Sequence, residues 1–206
     1  MTLAAGNTDV DFCARALVFL GLTPISSLLG DDDKTVTCRT IYPMVRNEVL
    51  SRYPWRFTVA KRRLARLTDT PVNEWQYAFQ LPSDRLAGPR GVFTSGDVGA
   101  GLLKDYDIYQ DHLYANEPSI WIDYQALQSE SKFPPYVSTL ISYVLTARLA
   151  EPLTDDSSKG ERWETMAYGS PAEKQQGGYF EVAKALDSQQ RPSQVVSGDF
   201  SLIDVR

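Results

Sequence analysis

"RYPWRFTVAKRRLARL", residues 52–67, is the stretch in which the sequence changes from a helical period to a strand period. Pro54 cannot continue a helix because it lacks a backbone donor and crowds the preceding turn. From Trp55 onward, large apolar residues alternate with polar ones through Phe57 and Val59, which is typical of a strand. We therefore expect a helix to end near Pro54 and a β-region to begin beside it.

The N-terminal part of the chain predicts two helices. Thr8 or Asp9 can cap the first, and Gly21 can end it because glycine readily adopts the left-handed conformation. The three aspartates at 31–33 place negative charge at the start of the second helix, where the macrodipole favours it. We expect Pro43 to kink that helix. Its expected apolar stripe consists of Val36, Ile41, Val45, Val49 and Leu50.

Residues 57–127 keep the period of two and carry turn signals between the apolar runs. Three runs alternate large apolar residues with polar ones, and pieces rich in glycine, proline and asparagine separate them. These features predict a small, mostly antiparallel β-region with exposed loops. The alternating residues are Trp55, Phe57 and Val59; Trp75, Tyr77, Phe79 and Leu81; and Ile120, Ile122 and Tyr124.

The helical period returns after the β-region. Pro135 suits the first turn of a long helix that we expect Pro152 to close. Two more helical segments are expected over 157–168 and 171–190, with Gly177-Gly178 as a weak point in the last. The expected apolar stripes are Val137, Leu140, Ile141, Val144, Leu145 and Leu149; then Trp163, Met166 and Ala167; then Tyr179, Val182, Ala183 and Leu186.

This order of elements predicts an α+β fold. The simplest arrangement is a mainly α-helical bundle, formed by the N- and C-terminal helices, with a small antiparallel β-region inserted between them. The expected parts are residues 1–56 and 132–192 for the bundle, 57–131 for the inserted β-region, and 193–206 for an extended tail.

The composition bounds the classes of function. The chain has 206 residues and a net charge of −5, whereas a protein built to grip duplex DNA usually carries excess positive charge. No apolar run approaches the ~20 residues that span a bilayer, and the N-terminus does not resemble a secretion signal. Cys13 and Cys38 are expected to be buried free thiols rather than a disulfide framework.

Patterns that would support catalysis or metal binding are weak in this sequence. His112 is the single histidine, and its neighbour Asp111 would point to the opposite face of a strand. The aspartates at 31–33 lack the spacing of an EF-hand, and "GDVGAG" at 96–101 matches no phosphate-binding loop. We expect no catalytic residue, metal site or cofactor. Asp105, Asp107 and Asp111 are the candidates if a carboxylate pair hydrolyses glycosides.

Several motifs, taken in their order along nearly the whole chain, are similar to those of a known family. They are "ALVFLGLTPISSL" (16–28), "CRTIYPMVRNEVLSRYPWRFTVAKRRLARL" (38–67), "YAFQLPSDRL" (77–86), "FPPYVSTLISYVLTARLAEPLT" (133–154), "YFEVAKALDSQQ" (179–190) and "SLIDVR" (201–206). The chain resembles the tail tubular protein A family of short-tailed bacteriophages, the head–tail adaptor or tail accessory proteins. One departure is residues 164–178, which interrupt the single long C-terminal helix that the family pattern implies.

The resemblance implies a structural role in the virion tail or neck, with assembly in the host cytoplasm. Such a protein forms a ring, expected to have twelve copies, beneath the portal protein, and it extends the DNA channel and offers a docking surface to the tail nozzle (a tail tubular protein B-like protein). It implies neither enzymatic activity nor membrane contact. The alternative is a polysaccharide-degrading tail component, because some members of the family have been proposed to act on polysaccharides.

The resemblance gives the basic residues and the tail candidate roles. Lys61, Arg62, Arg63 and Arg66 either pair with acids of a neighbouring subunit or face the channel and touch passing DNA. Phe200, Leu202, Ile203 and Arg206, with the arm at 1–7, are candidates for contact with the portal or a neighbour, the alternative being a frayed terminus. The loop at 95–104 is a candidate for contact with the nozzle or a neighbouring subunit.

Overall fold

The computed structural model describes residues 7–69, 71–97, 99–173 and 177–190. Within them the protein has the expected α+β fold, with five α-helices and two antiparallel sheets. The helices before and after the strands share one hydrophobic core, and the strands enclose a second, smaller core.

The two N-terminal helices begin and end where their capping residues predict. Helix α1 (Asp9–Phe19) is capped by Thr8, whose hydroxyl accepts from the backbone of Asp11, and Gly21 follows its end with φ +77°. Helix α2 (Asp33–Arg52) is capped by Asp32 and stops just before Pro54. It runs continuously through Pro43, so a kink at that residue stays a prediction.

The buried face of α2 differs in part from the expected stripe. Val45, Val49 and Leu50 are buried as predicted, but Val36 is 37% exposed and Ile41 is only partly buried. Counting back from Val45 by helical spacing gives the residues that are buried instead, namely Thr35, Cys38 and Tyr42. The prediction for Val36 is wrong because it follows the apolar residue types rather than the exact helical spacing back from Val45.

The predicted strand over residues 55–59 is also wrong in its first half. Residues Arg56–Thr58 form a single 3₁₀ turn, in which Thr58 is buried, and the strand starts only at Val59. The turn allows Trp55 to enter the helical core, where its side chain is fully buried. The strands are β1 (Val59–Arg63), β2 (Ala65–Arg66), β3 (Tyr77–Gln80), β4 (Gly91–Phe93), β5 (Asp107–Tyr109), β6 (His112–Ala115) and β7 (Trp121–Gln125).

These seven strands form two sheets whose pairings are all antiparallel. The first has three strands in the order β1-β7-β4, and the second has four in the order β2-β3-β6-β5. Leu64 lies between β1 and β2, is buried, and thus links both sheets to the smaller core. Ile120, Ile122 and Tyr124 are buried there, as their alternation predicts.

The C-terminal helices are α3 (Pro135–Thr154), α4 (Ser157–Tyr168) and α5 (Gly178–Gln189). The predicted stripe of α3 is buried in the main core. Pro152 does not close α3, contrary to the prediction. It lies in the last turn, where the helix continues to Thr154 and ends at Asp155, which has φ +51°.

The apolar stripes predicted for α4 and α5 are only partly correct. Ala167 and Ala183 are buried, but Met166, Val182 and Leu186 are exposed. In α5 the buried residues are Phe180, Ala183 and Asp187, so the true buried face is displaced by one residue from the predicted one. Phe180 fixes this rotation, because its ring packs edge-on against Trp55 and Tyr168.

Glycine is required at the corner between α4, which ends at Tyr168, and α5. Residues 164–168 of the expected interruption therefore still belong to a helix. The α5 helix begins only at Gly178, not at residue 171, and Gly178 has φ +59°. A Cβ atom there would lie 2.5 Å from the backbone nitrogen of Gly169 and 2.9 Å from the carbonyl oxygen of Met166. These neighbours are backbone atoms, so the corner cannot admit a side chain without moving.

A hinge connects the helical bundle to the sheets, and it is built around Gln125 at the end of β7. The Gln125 side chain is buried, and its amide donates to the carbonyl oxygens of Leu50 at 3.1 Å and Tyr53 at 2.9 Å. These carbonyls belong to the end of α2, where intrahelical donors run out. The same amide nitrogen lies 3.3 Å from Oγ1 of Thr58. One side chain of the β-region therefore satisfies the end of a bundle helix.

Trp55 and Asp187 complete the hinge on its bundle side. The indole Nε1 of Trp55 donates to the carbonyl of Val49 at 2.9 Å. The buried carboxylate of Asp187 accepts from the backbone N–H of Arg56 at 3.2 Å and from the hydroxyl of Tyr136 at 2.8 Å. Burial and the neighbouring Asp187 carboxylate raise the pKa of Tyr136, so its hydroxyl remains a donor at neutral pH.

Arg46 and Glu130 make a second connection between α2 and the segment that follows the strands. Their side chains meet at 2.7 Å, each only 20% exposed, and the Tyr42 hydroxyl donates to the same carboxylate oxygen at 3.2 Å. Burial acts to raise the pKa of Glu130, but hydrogen bonds from Arg46 and Tyr42 and the charge of Arg46 outweigh it. The pKa of Glu130 is therefore lowered.

Replacing Gly178 with alanine should strongly destabilise the protein. The positive φ and the overlap with backbone atoms should together lower the free energy of unfolding by about 2–4 kcal/mol. Gly88→Ala is the matched control, because a Cβ there meets nothing within 4 Å. Urea denaturation measures both variants, and equal midpoints would show that the corner is not constrained as described.

Replacing Gln125 with methionine should weaken the hinge while keeping the side-chain volume. The carbonyls of Leu50 and Tyr53 would lose their buried donor, at a cost of about 1–3 kcal/mol in the free energy of unfolding. Gln76→Met, at an exposed position of the β-region, should change it by less than about 0.5 kcal/mol. Thermal and urea unfolding test this, and a neutral Gln125→Met variant would contradict it.

The Glu130→Gln variant should lose stability at neutral pH but not in acid. A carboxylate whose folded pKa is lowered contributes stability above its unfolded pKa, near 4.5, and loses it as the pH falls through the folded pKa. The variant should be about 1 kcal/mol less stable at neutral pH, with the difference shrinking between about pH 5 and about pH 3. Urea titrations across that range measure it, with the exposed Glu74→Gln as control. A difference independent of pH would contradict the assignment.

Candidate interaction surfaces

The outer face of the three-stranded sheet combines basic and aromatic side chains. Lys61 and Arg63 of β1 alternate with Ala60 and Arg62. On β7, Lys61 is paired with Asp123 and Arg63 with Trp121. Trp121 pairs in turn with Phe93 of β4, and both rings are only partly buried. The opposite face packs into the smaller core. We call Lys61, Arg63, Phe93, Trp121 and Asp123 the sheet face.

Lys61 is held in place by two neighbours on this sheet face. Its ammonium group lies 4.0 Å from the carboxylate of Asp123 and 4.2 Å from the centre of the Phe93 ring. Arg63 is exposed at the position opposite Trp121. Arginine and tryptophan are enriched where proteins contact each other, because both bury a large area and can also hydrogen bond.

The other two residues of the basic cluster lie elsewhere. Arg62, on the alternate side of β1, pairs with Asp84 at 3.6 Å and lies 5.7 Å from the Tyr124 ring centre. Arg66, on β2 of the other sheet, lies 4.9 Å from the Tyr77 ring centre. The pleat and the change of sheet at Leu64 thus divide the four basic residues, which the sequence treats as one cluster, among different surfaces.

The loop after β4 is a hairpin loop that lies beside the sheet face. Phe93 and Leu102 form an antiparallel bridge across it, and the backbone N–H of Leu103 donates to Val92 at 2.8 Å. A Cβ at Gly96 would lie 3.1 Å from the Trp121 ring, so this part of the loop covers the indole closely. Leu102 is 62% exposed and extends the apolar area of the sheet face.

A second exposed surface lies on the helical bundle, and the sequence pattern predicts part of it as a buried stripe instead. The Phe19 and Trp163 rings stack at 5.0 Å, and Tyr143 contacts Trp163 and Tyr179 at 5.4 Å each. Val182 and Leu186 follow Tyr179 on the same side of α5 and are 49% and 38% exposed. We call Phe19, Tyr143, Trp163, Tyr179, Val182 and Leu186 the bundle face. The apolar spacing of Tyr179, Val182 and Leu186 is visible in the sequence, but it predicts burial rather than exposure.

The acidic candidates for glycoside hydrolysis are engaged in separate contacts. Asp107 accepts from the indole of Trp75 at 3.2 Å, and the carboxylate of Asp111 lies 2.6 Å from the guanidinium of Arg85. The hydrogen bond from Arg85 lowers the pKa of Asp111. Asp105 is exposed and has no contact with the other two among the contacts described. Asp107 and Asp111 are thus each bound to a different side chain, Trp75 and Arg85.

The described part of the chain shows few other features that could bind a metal ion or a small ligand. No group of three His, Cys, Asp or Glu side chains there could hold a metal ion. A cleft of about 690 Å³ beside the hinge is lined by charges of both signs, including Arg56, Arg90 and Asp187. Cys13 and Cys38 are free and buried, as predicted. His112, at the start of β6, lies 6.3 Å from the Tyr114 ring.

The predicted portal- or neighbour-contacting residues Phe200, Leu202, Ile203 and Arg206 lie outside the described residues, as does most of the arm at 1–7. Among the helices that are described, none combines the length and apolarity needed to cross a membrane. No protein-family model matches the chain, and no curated protein matches it.

Proposed function

We propose that this protein is a structural subunit of a bacteriophage virion, a head–tail adaptor that forms a ring under the portal protein. The ring connects the portal to the tail nozzle and extends the DNA channel, and it belongs to the tail or neck of the particle after assembly in the host cytoplasm. The proposal rests on the ordered motifs described above and on an architecture of the kind they imply. The observation that carries it is the sheet face, a surface suited to binding protein.

A closed ring needs two different patches on each subunit, one meeting the other on the next copy. The sheet face supplies one such patch. Trp121, Phe93 and Leu102 offer apolar area. Arg63 is unpaired among the described contacts, so a carboxylate of a neighbouring subunit could bind its guanidinium. Each contact can be modest, because closing a ring raises the effective concentration of the last partner.

The same residues are less suited to holding DNA. Two of the four basic side chains, Lys61 and Arg62, already lie beside Asp123 and Asp84. Phosphate binding gains free energy because cationic side chains replace the counterions condensed on DNA, and a carboxylate beside a cation reduces this gain. Arg63 lies on the same sheet face as Lys61, so we assign both to the subunit interface and keep only transient, sequence-independent contact with DNA for the ring as a whole.

The double variant Lys61→Glu/Arg63→Glu should fold but fail to assemble. Mixing the protein with portal rings and counting adaptor-bearing rings by electron microscopy measures this, and we expect at least about a tenfold drop, equivalent to ~1.4 kcal/mol or more. Lys34→Glu/Arg39→Glu, in the first half of α2, is the charge-matched control and should assemble normally. It removes one hydrogen bond to Thr23 and one to the carbonyl of Leu28, so urea unfolding is used to check that this control keeps its fold.

Three outcomes of this mixing experiment are decisive. Wild-type rings on the portal that are lost in the sheet-face variant support the proposal. Rings that persist in the variant while salt-dependent DNA binding falls would move Lys61 and Arg63 to the channel. Wild-type protein that never joins the portal, under conditions where it cleaves a capsular polysaccharide, would replace the adaptor with the enzymatic alternative.

A further inference from the structure

The bundle face ends one helical turn before the described chain does. Leu186, its last residue, precedes Gln190 by four residues, which is about 6 Å along a helix. The remaining 16 residues, 191–206, continue from that point. The exposed residue Leu186 therefore lies about one helical turn from the start of this segment, and Val182 lies about two turns from it.

The composition of residues 191–206 suits such a surface. The segment is electrically balanced, with two arginines and two aspartates, so no net charge opposes docking. Its apolar side chains are spread along its length and can cover a long, shallow face. They are Val195, Val196, Phe200, Leu202, Ile203 and Val205.

The segment is also long enough to reach every ring of the bundle face. Phe200 stands ten residues beyond Gln190, a reach of up to about 33 Å in an extended chain. The twelve residues of α5 span about 18 Å, and neighbouring helices lie about 8–10 Å apart. A chain that runs back along α5 can therefore carry Phe200 past Val182 to Tyr179 and Trp163.

We propose that residues 191–206 of the same chain cover the bundle face of the free subunit. A second copy is the other natural occupant of an apolar face, but it must be recruited from solution. The attached segment is present at millimolar effective concentration. It also starts beside the stripe that needs covering, which a second copy does not.

This contact would regulate assembly. Phe200, Leu202 and Ile203 are the side chains assigned to the portal or a neighbour, so docking them on their own bundle withholds them until a better partner competes. The regulatory role, though not the contact itself, rests on the proposed adaptor function. Because docking and portal binding use the same side chains, the two states exclude each other, and portal binding must first displace the docked segment.

Disulfide cross-linking in the full chain tests the contact without any partner. The native thiols of Cys13 and Cys38 are fully buried, so engineered thiols at exposed positions can be read selectively. Val182→Cys/Leu202→Cys should form an intramolecular disulfide under a mild oxidant, at a rate independent of protein concentration. Met44→Cys/Leu202→Cys is the control, since Met44 is even more exposed but lies on α2, outside the bundle face. We expect the first pair to react at least about tenfold faster.

A second experiment measures thiol reactivity in the single variant Val182→Cys, with and without Phe200→Asp/Leu202→Asp/Ile203→Asp. Polar residues in the segment should uncover the engineered thiol and speed its reaction with a soluble disulfide reagent several-fold. Equal rates for the two cysteine pairs, or a reagent rate that the aspartates leave unchanged, would overturn the proposal. Covalent dimers in place of the intramolecular product would make a second copy the occupant. None of these results depends on the portal, so they stand apart from the test of the adaptor function.

Discussion

The amide of Gln125 and the indole of Trp55 hold the helical bundle and the two sheets together. Gln125 extends from the last strand to the carbonyls that end α2, and Trp55 turns back from the start of the β-region into the helical core. Both donors are buried, so leaving either acceptor without a partner would cost the full desolvation of a polar group. Removing the Trp55 side chain altogether would cost about 3–5 kcal/mol, which is a large share of the stability of an ordinary domain.

This constraint gives the two exposed surfaces a fixed relation. The sheet face shares β7 with Gln125, and the bundle face shares α5 with Asp187, whose carboxylate accepts from the backbone of the hinge residue Arg56. The proposed adaptor function would require one surface for a neighbouring subunit and another for a second protein, held at a defined angle. A hinge with satisfied buried polar groups is suited to that task, because bending it would break several hydrogen bonds together.

The sequence predicts much of this fold because local chemistry determines it. Thr8 and Asp32 cap their helices, Gly21 ends one, and Ile120, Ile122 and Tyr124 alternate as a buried strand should. The errors arise where tertiary contacts decide. Asp187 is buried in α5 only because Tyr136 and the Arg56 backbone satisfy it, and that rotation leaves Val182 and Leu186 exposed. Similarly, a single basic stretch separates into different surfaces because a pleat and a change of sheet divide it, which no count of charges reveals.

Native-state hydrogen exchange tests most directly whether the hinge makes the bundle and the sheets one cooperative structure. The most protected amides of α3 and of β7 are to be followed at increasing, sub-denaturing concentrations of denaturant. A single unit requires that both sets open with the same free energy, to within about 1 kcal/mol, and with the same denaturant dependence. If β7 opens several kcal/mol below α3, the β-region unfolds by itself and the hinge does not unite the fold.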